Sequence, residues 1–204
     1  GRFLYVASSL TDTVSAFRAD DGGTLVRLNN HSSDKQPESM AACPAGRFLY
    51  VGNSLGSSVS VFALDRNGML SPPKSYPTKA GVHDVAHHPK EPLLCLCQKE
   101  AGNLTFMSVT EEGELQEVAT VDAGTEPSVA RWSRDGSTLF VLNAGLGISV
   151  WKPCTSQGWR RVAFFPTGRG TCHFTLGSRE NRLYVARATE NEIAVYDLEG
   201  ARLE

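Results

Sequence analysis

Gly1-Arg-Phe-Leu-Tyr-Val6 returns letter for letter as Gly46-Arg-Phe-Leu-Tyr-Val51. The same slot then holds Glu91-Pro-Leu-Leu-Cys-Leu96, Gly136-Ser-Thr-Leu-Phe-Val141 and Glu180-Asn-Arg-Leu-Tyr-Val185, at spacings of 45, 45 and 44 residues. Other columns keep the same step. Val14, Val59, Leu104, Ile148 and Ile193 form one, and Phe17, Phe62, Met107, Trp151 and Tyr196 a second. Gly23, Gly68 and Gly113 follow, each with a leucine two residues on. Several columns in step over this distance are the mark of a repeat protein.

The second unit shows what the repeat builds. Met40–Cys43 reads as a short first strand, closed by a turn at Pro44-Ala-Gly46. Phe48–Val51 is a continuous apolar run, as expected of a strand buried on both faces. Asn53–Gly56 is a turn. Ser58–Phe62 alternates polar and apolar. Asp65–Gly68 turns into a weak fourth strand near Met69. No segment has a helical period. Four strands in about 40–45 residues make one propeller blade. The chain therefore reads as an all-β propeller of 204 residues with four-stranded blades, about four and a half of them. The repeats run 1–45, 46–90, 91–135, 136–179 and, in part, 180–204. Two closures fit: a five-bladed ring of about 20 strands, or a seven-bladed ring of roughly 315 residues of which this is a fragment. The missing Met and the mid-blade start favour the fragment.

Composition narrows the partners. The formal net charge is −2, with no basic excess, so nucleic acid and anionic membrane surfaces are not expected partners. No apolar run reaches the ~18–20 residues of a membrane span. The five cysteines have no regular framework, which points to a reducing, cytoplasmic setting.

The repeat GRFLYVxNSxxxSVSVFxLDxxGxL resembles the lactonase family of seven-bladed propellers, and more widely the YVTN-type repeats. That family includes the bacterial-type 6-phosphogluconolactonases and the fungal carboxymuconate lactonizing enzymes. The resemblance implies a site on the innermost strands, where members often carry Pro-Arg-His or Pro-His, followed one strand later by Asn-Glu. The matching slots here are Pro37-Glu-Ser39, Val82-His-Asp84, Pro127-Ser-Val129 and Thr171-Cys-His173. His173 matches the His of Pro-Arg-His, with Cys172 in place of its Arg, and His83 matches the His of Pro-His. The second slots read Asn53-Ser54, Gln98-Lys99, Asn143-Ala144 and Arg187-Ala188. None keeps the Glu.

Lactone hydrolysis needs a base to activate water and a cation for the oxyanion. A phosphorylated lactone needs Arg or Lys as well. His173 and His83 are the candidate catalytic residues. Arg131, Arg169 and Arg187, on or just after inner strands, are the candidate substrate-binding cations. At the channel mouth, a cluster of His, Arg and a carboxylate within about 3–5 Å of a shared pocket favours an enzyme, and a channel plugged by apolar side chains favours an interaction platform.

Other motifs dissolve into the repeat. Gly52-Asn-Ser54-Leu-Gly56 matches the nucleophile elbow, but a strand follows it rather than a helix, so it is a hairpin turn. His87 and His88 are adjacent and would face opposite sides of a strand. No Cys or His pair has zinc spacing, and no metal or cofactor is expected. Trp151 and Trp132 fall in core columns, while Trp159 lies near a turn and is expected to be exposed. The first functional reading is a lactonase-like hydrolase of a sugar lactone, 6-phosphogluconolactone among them. The alternative is a non-catalytic propeller serving as a protein-interaction platform or a subunit of a larger assembly. A carboxymuconate-type cycloisomerase ranks third.

Overall fold

A computed structural model describes residues 2–154, 158–179, 181–199 and 202–203. The described residues form nineteen strands and no helix. The first sheet holds β1 (Phe3–Ser8), β2 (Thr13–Ala19) and β3 (Leu25–Ser32). The second holds β4 (Pro37–Ala42), β5 (Phe48–Asn53), β6 (Ser58–Ala63) and β7 (Lys74–Pro77). The third holds β8 (Asp84–His87), β9 (Leu93–Gln98), β10 (Asn103–Val109) and β11 (Leu115–Asp122). The fourth holds β12 (Pro127–Trp132), β13 (Leu139–Asn143), β14 (Gly147–Cys154) and β15 (Gly158–Pro166). The last holds β16 (Thr171–Leu176), β17 (Arg182–Arg187), β18 (Glu192–Glu199) and β19 (Arg202–Leu203). Within each sheet every strand pairs antiparallel with the next in sequence. The sheets are the blades of a β-propeller.

Side chains alternate across a strand, so the apolar runs serve two neighbours at once. On β9, Leu94 and Leu96 pack with Tyr50 and Val59 of the second blade. Cys95 and Cys97 of the same strand pack with Leu139, Val141 and Trp151 of the fourth. On β13, Phe140 and Leu142 turn instead to Phe174, Leu183 and Val185 of the fifth. Each Leu or Phe so buried contributes about 1.5–3 kcal/mol, and blade stacking is therefore what holds the propeller together. In this column Ile148 is fully buried, while Ile193, its counterpart on β18, is 69% exposed.

The glycine column has a conformational cause. Gly23, Gly68 and Gly113 have φ of 81°, 80° and 83°, left-handed values that a Cβ disfavours. Gly23 closes the turn between β2 and β3, Gly68 the turn after β6 and Gly113 the turn between β10 and β11. In the first two blades an Asp side chain, Asp20 or Asp65, accepts two backbone N–H groups of that turn. In the third Thr110 does the same.

Three local expectations are revised or met. The fourth strand of the second blade lies at Lys74–Pro77, not near Met69. Leu70 makes only an isolated bridge to Leu64, and Pro72-Pro73 then removes two successive N–H donors before pairing resumes. Trp159 is not an exposed contact residue. It is partly buried and stacks on Phe106 at 5.0 Å and 10°, with Trp132 edge-on at 4.9 Å. His87 and His88 do face opposite ways, His87 against Tyr50 and His88 against Trp132.

Candidate functional site

The inner strands β4, β8, β12 and β16 bring their first residues to one end of the propeller. Three of them start with a bulge, where the register slips between Pro37 and Ser39, between Pro127 and Val129, and between Thr171 and His173. A bulge adds one residue and re-aims its side chain. Here the extra residues are Glu38, Ser128 and Cys172, and His83 holds the same repeat position in the third blade. The preceding backbone is turned for this purpose: Gln36, Glu126 and Gly170 have φ of 55°, 46° and 77°.

The next residues of three of these slots, Ser39, Asp84 and His173, join Arg131 of the fourth blade in a polar chain across four blades. Asp84 opens β8 and is only 6% exposed. Its carboxylate accepts from the Ser39 hydroxyl of the second blade. It also accepts from the Ala130 N–H at 2.7 Å and from Arg131 Nη1 at 2.9 Å, both in the fourth blade. A buried carboxylate requires such pairing. Arg131, fixed by Asp84, presents Nη2 at 3.3 Å from Nε2 of His173 in the fifth blade. Partial desolvation of this largely exposed ring and the facing Arg131 cation push the His173 pKa below its usual value, against an opposing pull from Asp84. His173 is therefore a neutral imidazole at physiological pH.

His83 sits in a different setting. Its Nε2 is 3.2 Å from Glu100 Oε1 and 3.9 Å from Glu38 Oε2, and its Nδ1 is buried without a partner. Among the described residues, no hydrogen bond or ion pair joins His83 to Arg131 or His173. Arg187, at the end of β17, is held by Glu192 at 2.5 Å and Glu190 at 3.7 Å. Arg169 is exposed in the turn before β16, where its carbonyl accepts from Thr189. Of the five predicted site residues, the structure thus joins Arg131 and His173 directly. Ser54 lies in the β5–β6 turn, and its hydroxyl donates to the Gln36 carbonyl.

Asp84, Ser39 and Glu100 are the participants that sequence reasoning passed over. One signal was available: an Asp stands at the 45-residue spacing where the neighbouring blades carry Ser39 and Val129. Among the described residues no group of three His, Cys, Asp or Glu side chains is placed to hold a metal ion.

Residues 1–87 match the family model for lactonase, 7-bladed β-propeller. No curated protein matches the chain in sequence. A solved structure of a Lactobacillus plantarum protein superposes with a TM-score of 0.91 at 16% identity, covering all of this chain and 66% of that one. The chain thus spans just under two thirds of that relative's length. A candidate 6-phosphogluconolactonase from Bacteroides uniformis gives 0.64 at 20% identity, covering 100% of this chain and 80% of that one. The Pseudomonas aeruginosa periplasmic gluconolactonase gives 0.58 at 16%, covering 94% and 75%. At these identities the likeness is one of fold.

Proposed function

We propose that this chain, a lactonase-type propeller by its match over residues 1–87, opens a sugar lactone by hydrolysis at the Asp84–Arg131–His173 cluster. The observation that carries the reading is the Arg131 guanidinium, held at 2.9 Å by Asp84 and lying 3.3 Å from the neutral His173. It puts a fixed cation beside a base, the pair that lactone opening requires.

In this reading the lactone carbonyl oxygen takes the place of His173 as the partner of Arg131 Nη2. His173 Nε2, so freed, accepts a proton from water. The hydroxide adds to the carbonyl carbon, and Arg131 stabilises the oxyanion. The tetrahedral intermediate then collapses, the ring C–O bond breaks, and the departing alkoxide takes the proton back from His173. Asp84 stays ionised and fixes the guanidinium.

For 6-phosphogluconolactone, Arg169 is the better candidate for the phosphate, since Arg187 is already paired with two carboxylates. His83, with Glu100 beside it, serves as a second polar contact. The described residues include no helix long and apolar enough to cross a membrane. Cys43, Cys95, Cys97 and Cys172 form no disulfide, which accords with a reducing, cytoplasmic setting.

The test is lactone opening above the spontaneous rate, on 6-phosphogluconolactone and on the unphosphorylated gluconolactone. His173→Ala is expected to lower kcat by about 10²–10⁴-fold. An unchanged rate in that variant removes His173 from the chemistry. No rate above background removes the hydrolase reading and leaves the protein-interaction platform.

A further inference from the structure

The loops that lead into the inner strands repeat, with one difference in the fifth blade. Asp34–Gln36, Gly124–Glu126 and Gly168–Gly170 are the residues just before β4, β12 and β16. The last residue of each is left-handed, and Gly124 and Gly168 also match, with φ of 79° and 87°. The carbonyls of Gln36, Glu126 and Gly170 accept from the N–H groups of Ser54, Ala144 and Ala188 at 3.0, 3.0 and 2.8 Å.

In the second and fourth blades carboxylates fill these loops. The Lys35 N–H donates to Asp34 and the Gln36 N–H to Asp12, both at 2.8 Å. The Gly124 N–H donates to Asp122 at 2.8 Å. Each of the three loop N–H positions thus meets a carboxylate in one blade or the other. In the fifth blade the slots of Asp12, Asp34 and Asp122 hold Leu146, Gly168 and Pro166. The Leu146 carbonyl accepts from Thr167 as the Asp12 carbonyl accepts from Ser33, which fixes the correspondence. Among the described residues nothing accepts from the N–H groups of Gly168, Arg169 and Gly170.

The carbonyls of the same three residues are occupied. Gly168 accepts from the Thr171 hydroxyl at 3.1 Å, Arg169 from the Thr189 hydroxyl at 3.2 Å and Gly170 from Ala188. Gly168 and Gly170 are left-handed, with Arg169 between them at ordinary φ. Such alternation turns successive N–H groups toward one side and makes a concavity for an anion.

The side chains change in the same sense. Asn143 donates to the Ala123 and Thr125 carbonyls of its loop at 3.0 and 2.8 Å. Its slot in the fifth blade holds Arg187. There Nη1 is on Glu192, while Nη2 makes no hydrogen bond among the described residues. Nη2 lies 2.9 Å from where a Cβ on Gly168 would stand. Arg169 brings a second guanidinium, and both it and Gly168 are exposed.

We infer that the Gly168–Gly170 loop binds a phosphate group. Its oxygens accept from the three N–H groups in place of the carboxylates of the sister blades, with Arg169 and Arg187 Nη2 beside them. A phosphoryl group offers three strong acceptor oxygens to three donors. His173 is three residues beyond Gly170, within roughly 10–11 Å along the chain. The inference deepens the role given to Arg169 above. It rests on the lactone reading only for the sugar lactone that would carry the phosphate, and the loop is tested without any lactone.

The probes are inorganic phosphate, glucose 6-phosphate and glucose, titrated into the full chain and followed by amide chemical shifts. Both phosphates are expected to move the Gly168, Arg169 and Gly170 signals in a saturable way, and glucose to leave them in place. The tighter of the two tells whether the site takes free phosphate or a sugar phosphate. Arg169→Ala, altered at an exposed side chain, is expected to weaken binding by about tenfold. Pro166→Asp restores the carboxylate of the fourth blade at an exposed position and is expected to abolish binding, while Pro166→Ala keeps it. His173→Ala is expected to keep it too, so that loss of the proposed hydrolysis and loss of the phosphate site are told apart. No saturable shift of these three amides at phosphate concentrations on the order of 10 mM would overturn the proposal. Equal affinity of Pro166→Asp and Pro166→Ala, or an equal response to glucose, would do the same.

Discussion

Arg131 and His173 face each other across two blades, Nη2 to Nε2 at 3.3 Å. The contact is favourable only while the imidazole is neutral, because a protonated His173 would set two cations against each other. This ties stability, and the proposed activity, to one proton. An unfolded His titrates near 6.5, and partial desolvation together with Arg131 lowers the folded value. The unfolded chain therefore takes up the proton first as pH falls. The stabilising contribution is complete above about pH 6.5, and it is lost as pH falls from there through the folded pKa. His87, lowered by its burial, acts in the same direction. Urea denaturation at a series of pH values is expected to show this decline, and His173→Gln is expected to flatten it. A decline of equal size in the variant would assign the effect to other groups.

The Asp84–Arg131 pair is expected to be strongly coupled. Arg131→Met leaves a carboxylate that is 6% exposed without its cation, a loss of about 3–5 kcal/mol. Asp84→Ala leaves the buried Ala130 N–H without its acceptor, a loss of about 1–3 kcal/mol. The double variant should lose less than the sum, by about 0.5–3 kcal/mol. Denaturation of the four proteins measures this, and additive losses would mean that the two residues act independently.

Gly136 is expected to tolerate no side chain. Its φ is 79°, and a methyl there would meet His88 Nε2 at 2.2 Å, where the ring now bonds the Gly136 carbonyl at 3.0 Å. Gly136→Ala should cost about 1–3 kcal/mol for the left-handed backbone, with the clash in addition. A change in stability close to zero would show that the third and fourth blades can part at this point.

The thiols should separate into two kinds. Cys95 and Cys97 are fully buried, and burial pushes both far above the usual thiol range. They are expected to stay unreactive toward a disulfide reagent until the chain unfolds, whereas exposed Cys172 reacts in the native state. Mass spectrometry of the labelled peptides decides this. Native labelling of Cys95 at the rate of Cys172 would contradict the packing of β9.

How much was legible in the sequence follows from which forces act at each position. Phe48–Val51 and its counterparts on β9 and β13 were readable because burial on both faces allows only apolar residues, whereas the identical run on β1 has Phe3, Leu4 and Val6 exposed. The fourth strand of the second blade was misplaced because Pro72 and Pro73 interrupt pairing that the Gly-x-Leu signal otherwise starts. Trp159 was misjudged because its partner, Phe106, comes from the preceding blade, 53 positions earlier. The site was half visible. His173 stood out as a histidine in an inner-strand slot. Asp84 did not, because its partners are a backbone N–H at Ala130 and a guanidinium 47 residues away. Neither leaves a trace in local spacing.

The central claim is that Arg131, fixed by Asp84, stabilises the charge that forms when a lactone opens. The direct measurement is the rate of opening of 6-phosphogluconolactone and of gluconolactone by Arg131→Lys beside the wild type, each corrected for spontaneous hydrolysis. Lysine keeps a positive charge near Asp84 but cannot donate to Asp84 and the substrate through one planar fork. The account predicts a fall in kcat of about 10²–10³-fold, with the fold intact by circular dichroism. A wild-type rate in Arg131→Lys would contradict it.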